Sequence, residues 1–213
     1  MLREIDFSIE ATNMKVCRAF FEGNESIYVP KVFDSLCSKR MCVMEFIHGV
    51  KANDVEQLRK DGIDTKEVAR LCVQAFASMI FHAPFLHVDP HAGNLFVRKQ
   101  ANGKPQLVLL DHGMYNYFEK GFNEFIQELW LAMVAQDQRR VNELCSVYQL
   151  ERFSQLISLS MTGRSMTSHN KFGEEMGGEL HDSIEDRMKH AMQTVTMDIF
   201  EKRLGIVCVF SRV

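Results

Sequence analysis

Asn102-Gly103 lies between two short apolar runs, Leu95-Phe96-Val97 and Leu107-Val108-Leu109-Leu110, and no other feature constrains the chain as strongly. Asn-Gly in this setting predicts a β-hairpin with a type I′ turn, which needs φ > 0 at both central residues. A hairpin pairing 95–98 with 106–110 brings its two outer ends together. Asn94 enters the first strand and Asp111 leaves the second. Asp89 lies a few residues upstream, in His87-Val88-Asp89-Pro90-His91-Ala92-Gly93-Asn94. Mg²⁺ prefers oxygen ligands, keeps several waters, and is usually held by one or two side chains plus substrate phosphates. Asn94 and Asp111 are the candidate ligands for such an ion, and Asp89 would face the nucleophile.

The order of these parts resembles a protein-kinase active site: a catalytic-loop Asp, an Asn five positions on, a short hairpin, then Asp-x-Gly on a metal ion. Here they are Asp89, Asn94 and Asp111-His112-Gly113. The loop Asp89-Pro90-His91-Ala92-Gly93-Asn94 is similar to the Asp-Pro-His-Pro-Gly-Asn loop of the UbiB family, the aarF-domain atypical kinases. Ala92 stands where proline is usual. Asp-His-Gly in place of Asp-Phe-Gly resembles the branch that includes the mitochondrial aarF-domain kinases. A rival reading gathers His82, His87, Asp89, His91, Asp111 and His112 into a zinc- or iron-dependent hydrolase site. That reading leaves Gly93-Asn94 and the apolar hairpin unexplained, and the kinase reading accounts for both.

The first residues fit the same resemblance. Glu4-Ile5-Asp6 is similar to the family's Glu-x-Asp motif, and Glu10 to the glutamate that pairs with a strand lysine. Asp6 or Ser8 also suits the cap of a helix running to about Phe21, with acidic residues favoured in its first turn. No glycine-rich loop, strand lysine or Lys-x-Gly-Gln segment is present, so the sequence reads as an N-terminally truncated or degenerate member. Met44-Glu45-Phe46-Ile47-x-Gly49 is similar to the family's hinge. There the backbone of Glu45 and Ile47 would meet adenine.

Strands are expected at 27–29, 32–33 and 42–47, broken by Pro30 and a turn at Ser38-Lys39-Arg40. A short helix is expected at 52–61. A longer one, 64–82, opens on a capping-box-like Asp64 and Glu67 and repeats Val68, Leu71, Cys72, Phe76, Met79 and Ile80 at helical spacing. His82 reads as a helix-end residue. After Gly113 the pattern is helical. Its stripes are Phe122/Phe125/Ile126/Leu129/Met133, Val141/Leu144/Cys145/Tyr148 and Phe153/Leu156/Ile157/Met161. Residues 168–182 read as a loop, 183–203 as a helix, and 204–210 as β-like.

The net charge of −3 removes bulk attraction to nucleic acid or an anionic membrane. Six scattered cysteines read as reduced thiols, and no apolar run reaches the roughly 18 residues a membrane span needs. No targeting segment is visible.

The fold expected is α+β and protein-kinase-like. Residues 1–50 form a partial N-lobe, and 51–213 a helical C-lobe carrying the active-site hairpin 87–113. The resemblance covers about residues 4 to 165. It implies ATP and Mg²⁺ as cofactors, with phosphoryl transfer or ATP hydrolysis as the chemistry. Asp89 would be the catalytic base, and Glu10, Glu45, Ile47, Asn94 and Asp111 would contact the nucleotide or its metal. It also implies a mitochondrial setting, a link to coenzyme Q or mitochondrial lipid homeostasis, and lipid or membrane-surface association. A pseudokinase or scaffold is the alternative from a different class.

Overall fold

The computed structural model describes residues 6–89 and 91–162 of the chain. The expectations for Glu4, Pro90, the 168–182 loop, the 183–203 helix and the 204–210 strand lie outside these residues. Helix α1, Phe7–Phe20, begins where the Asp6 carboxylate accepts the Ser8 N–H at 3.0 Å. Ala11, Met14 and Cys17 recur every third residue and form its buried face, continued by Phe21.

The hairpin is present. β4, Leu95–Lys99, pairs antiparallel with β5, Pro105–Leu109, in the register Leu95↔Leu109 and Val97↔Leu107. Its turn differs from the expected type I′. Gly103 has φ +82° and donates to the Gln100 carbonyl at 2.9 Å, while Gln100 donates to Lys104. Asn102 keeps a negative φ and uses its side-chain oxygen to accept the Lys104 N–H. One left-handed glycine therefore closes a longer loop, with the asparagine stabilising it through its side chain.

Two more strands complete a four-stranded sheet in the order β1-β5-β4-β2. β1, Ile27–Tyr28, runs parallel to β5, and β2, Val50–Lys51, antiparallel to β4. The strands expected at 32–33 and 42–47 shrink to a single bridge, Val32↔Met44. A 3₁₀ turn over Asp34–Leu36 pulls the chain out of register there. Leu107, Val108 and Leu109 of β5 are fully buried. That continuous apolar run is what a strand covered on both faces shows.

Helix α2, Val55–Lys60, is capped by Asp54, and α3, Thr65–His82, by Asp64. Glu67 does not complete a capping box. It pairs with Arg70 at 2.6 Å instead. α3 buries Val68, Leu71, Ala75 and Met79, and ends at Ala83 because Pro84 disfavours helical backbone before it. The next residues form β3, Phe85–His87, paired antiparallel with β6, Tyr115–Tyr117. The helical reading after Gly113 is therefore corrected at 115–117.

The chain divides into two compact units, Met1–Tyr117 and Phe118–Val213. Within the second, α4 (Phe122–Val134), α5 (Gln138–Val147) and α6 (Ser154–Thr162) bury the expected stripes through Ile126, Leu129, Met133, Val141, Leu144 and Ile157. No described helix is long and apolar enough to cross a membrane.

α2 ends in a Schellman motif. Gly62 at φ +66° donates to Arg59, and Ile63 donates to the Leu58 carbonyl at 2.9 Å. A Cβ at Gly62 would meet only the flexible Lys99 Nζ, at 3.5 Å, so space is not the obstacle. Gly62→Ala should therefore destabilise the chain by about 1 kcal/mol through backbone strain alone. Urea unfolding midpoints at unchanged slope would measure it.

Candidate active site

Asn94 closes the 3₁₀ turn Ala92–Asn94 that delivers the chain into β4. Its carbonyl accepts the Leu110 N–H at 3.0 Å, extending the hairpin ladder past β5. Asp111 is thereby set opposite Asn94, and the Asn94 Nδ2 donates to Asp111 Oδ2 at 2.9 Å. The other Asp111 oxygen accepts the Gly113 N–H at 2.9 Å, which fixes the carboxylate plane. Asp89, His91 and Asp111 each offer one donor atom, and these lie within 4.8 Å of one another. Asp89, Asn94 and Asp111 are thus brought to one end of the hairpin.

Two buried histidines hold this arrangement from below. His87 accepts the Asp89 N–H on Nδ1 at 3.2 Å. Burial lowers its pKa, and the nearby Asp111 partly opposes that. Val88 adds a backbone bond to the Met114 carbonyl at 3.1 Å. His112 is fully buried, with Nε2 3.0 Å from the Leu109 carbonyl and Nδ1 2.7 Å from the Tyr115 hydroxyl. A carbonyl only accepts, so Nε2 carries the proton and Nδ1 accepts from Tyr115. Burial pushes the His112 pKa down to about 4.

α1 closes the site through side chains that sequence reasoning passed over. The buried Asn13 donates to the His112 carbonyl at 2.8 Å and accepts the Tyr117 hydroxyl at 2.8 Å. Cys17 is buried beside the Tyr115 hydroxyl, and burial pushes its thiol up to about 12. Asn13 was detectable as a polar residue on the apolar face, three positions after Glu10 and four before Cys17.

Glu10 is half-buried and accepts the His112 N–H at a long 3.5 Å. Burial raises its pKa, and the charge on Asp111 adds to the rise. The ion pairs among the described residues give Glu10 no cationic partner.

Glu45 and Ile47 lie in the segment expected as a hinge. The Glu45 carboxylate is engaged locally, accepting the Tyr28 hydroxyl at 2.6 Å and the Lys31 N–H at 3.2 Å. Burial pushes its pKa up, but these two donors together with the Arg98 and Arg18 charges hold the group below its ordinary value. Its backbone N–H is donated to Lys31, and Ile47 is buried. Gly49 was missed. A Cβ there would sit 2.9 Å from the Val97 carbonyl, so only glycine lets the chain lie against β4.

Of the six residues proposed for a hydrolase centre, only Asp89, His91 and Asp111 converge. His82 is exposed at the end of α3, and His87 and His112 are committed to backbone and tyrosine partners. The converging donors are the two carboxylates and the His91 imidazole, with the Asn94 carboxamide against Asp111; the carboxylates are hard oxygen ligands of the kind Mg²⁺ takes, and the imidazole is not. The Asn94 amide presents its nitrogen to Asp111, and turning it over would present the oxygen instead.

The neutral His112 makes stability depend on pH. Above about pH 6.5 the ring is neutral folded or unfolded. Between about 6.5 and 4 the unfolded chain takes up a proton that the folded one refuses, so stability is lost as pH falls, by on the order of 3 kcal/mol by the lower limit. Below about 4 no further loss comes from this group. His87 acts in the same direction. Urea titrations from pH 7 to 4 in a chelator should show this slope, and His112→Gln should flatten it.

The ABC1 atypical kinase-like domain model matches residues 1–145. The probable serine/threonine-protein kinase abkB of Dictyostelium discoideum is 44% identical over 137 residues, covering 64% of this chain and 20% of that protein. The AarF domain-containing protein kinase 1 of Gallus gallus is 31% identical over 189 residues, covering 88% and 36%. The probable protein kinase UbiB of Actinobacillus pleuropneumoniae serotype 5b is 36% identical over 141 residues, covering 66% and 26%. The chain thus spans between a fifth and about a third of the length of these relatives. With the hairpin site and a matching domain over two thirds of its length, the chain belongs to the ABC1 atypical kinase-like family, whose relatives include the AarF-domain and UbiB kinases.

Proposed function

We propose that this chain carries the metal-holding and acceptor-facing part of a UbiB-like atypical kinase or ATPase that binds ATP with Mg²⁺. The convergence of Asp89, Asn94 and Asp111 at the end of the β4–β5 hairpin is the observation that supports it. In this reading the Asp111 carboxylate and the Asn94 amide oxygen hold the metal. When bound, the metal neutralises charge on the phosphates and orients them.

Asp89 serves as base or as the group that positions the nucleophile. His87 sets its backbone by accepting the Asp89 N–H. His91 lies 3.8 Å from Asp89 and would add positive charge beside it when protonated. Glu10 would orient the Asp111-His112-Gly113 loop through the His112 N–H and reach a lysine supplied from elsewhere. Glu45 and Ile47 would meet adenine by their backbone groups.

The lobe division at residue 50 belongs to this reading. It differs from the packing division after Tyr117. The family resemblance extends the proposal to a mitochondrial setting, to association with a lipid surface, and to coenzyme Q or mitochondrial lipid homeostasis. The curated relatives named UbiB and AarF-domain kinases support the family part of it.

Thermal unfolding with ATP or ADP, with and without Mg²⁺, tests the site. A hundredfold excess over Kd should stabilise the wild type by about 2.7 kcal/mol in the presence of Mg²⁺. Asp111→Asn should abolish the Mg²⁺-dependent part. No shift in either protein would remove the nucleotide reading. A shift without turnover, in a protein extended to the length of its relatives, would select the scaffold alternative.

A further inference from the structure

Residues 37–42 make a tight antiparallel turn. Ser38 and Met41 exchange both backbone hydrogen bonds, at 2.8 and 3.2 Å, around Lys39-Arg40. Cys37 and Cys42 flank this pair directly, and the ladder ends at the single Ser38↔Met41 bridge. Cα atoms facing each other across an antiparallel turn lie about 4.5–5.5 Å apart. A disulfide accepts Cα separations of roughly 4.4–6.8 Å, so this pair can close without moving the backbone far.

Cys37 Sγ accepts the Val43 N–H at 3.3 Å and lies 3.6 Å from the Val43 carbonyl and 3.4 Å from that of Phe33, which sets it against the residue that follows Cys42. Burial pushes the Cys42 thiol up to about 11, and the Cys37 sulfur beside it adds to the rise. Both cysteines are half-buried, as is Cys72 on α3, whereas Cys17 and Cys145 are buried.

We propose that Cys37 and Cys42 are a reversible disulfide site. The co-reactant is a low-molecular-weight disulfide such as oxidised glutathione. Cys37, as thiolate, attacks one of its sulfurs and expels one glutathione thiolate, leaving a mixed disulfide. Cys42 then loses its proton to water and attacks the Cys37 sulfur, expelling the second glutathione. Two protein thiols are oxidised, and one small disulfide is reduced to two thiols. The site's position gives the bond something to act on. The Lys39 carbonyl at the turn accepts the N–H of Phe7, the first residue of α1, at 3.1 Å, and the Glu10 charge of α1 bears on Cys42. Closing the bridge would stiffen the turn against which α1 begins. The inference stands apart from whether the chain binds a nucleotide.

Trypsin tests it directly, because Lys39 and Arg40 lie between the two cysteines. The full chain is equilibrated with oxidised glutathione, blocked with N-ethylmaleimide, digested without reductant and weighed. The expected product joins Val32–Lys39 to Met41–Lys51, lighter by two hydrogens than the two reduced peptides together, and separates on reduction. In the intact protein, maleimide should reach two fewer of the six thiols. Cys37→Ser and Cys42→Ser should each lose the joined product, and the wild-type digest decides the matter even where a variant folds poorly. Glutathione adducts that persist on either cysteine without joining the peptides would overturn the proposal. So would two peptides that stay separate and fully maleimide-labelled, or a bridge from either cysteine to a different partner.

Discussion

A fully buried imidazole has no water to satisfy it, and the site depends on how this chain meets that constraint at His112. Both ring nitrogens are bonded, one to the Leu109 carbonyl at the end of β5 and one to the Tyr115 hydroxyl on β6. Its backbone carbonyl takes the Asn13 amide, and its N–H faces Glu10. A buried polar group left unpaired costs on the order of 1–3 kcal/mol, so these partners are held in place jointly. The residue between Asp111 and Gly113 is thereby anchored to α1, β5 and β6. The Asp111 carboxylate can point only where Asn94 and Gly113 meet it. Tyr117 extends the network to Asn13.

His87 performs the complementary task on the other loop. It accepts the Asp89 N–H, and its ring lies 5.5 Å from that of Tyr115. The β3–β6 pair exists to bring these rings together, since it sets His87 opposite Tyr115 and Phe85 opposite Tyr117. Phe85 stacks on Tyr115 with centroids 4.8 Å apart and seals the network with apolar surface. Polar groups in such a setting interact more strongly than in water, and for the same reason they tolerate no missing partner. Asp89 and His91, at the less buried edge of the site, are free of that constraint.

Much of this was legible in the chain. The hairpin, the caps Asp6 and Asp64, the buried stripe of α3 and the convergence of Asn94 with Asp111 follow from spacing alone. The errors have local causes. Asn102-Gly103 was read as two left-handed residues. Only the glycine adopts that conformation, because the asparagine gains a side-chain bond to Lys104 by staying outside it. The strand at 42–47 was read from β-branched and aromatic content. The 3₁₀ turn at Asp34–Leu36 costs it a continuous partner, and a strand without a partner is not formed. Tyr115–Tyr117 is too short for periodicity to reveal, and only its pairing with β3 makes it a strand.

By itself, the sequence determined what acts within a few residues: turn, caps, helix faces, and the order Asp89, Asn94, Asp111 that carries the family resemblance. Each depends on backbone preference or on side chains one turn apart, and both are written locally. Tertiary structure alone decided which groups His112 and Glu10 face, why residue 49 must lack a side chain, and that β1 lies parallel to β5. It also decided that Asn13, some hundred positions before Tyr117, completes the site. Such contacts are selected by the need to satisfy every polar group that burial removes from water, and that need arises only once the core has closed.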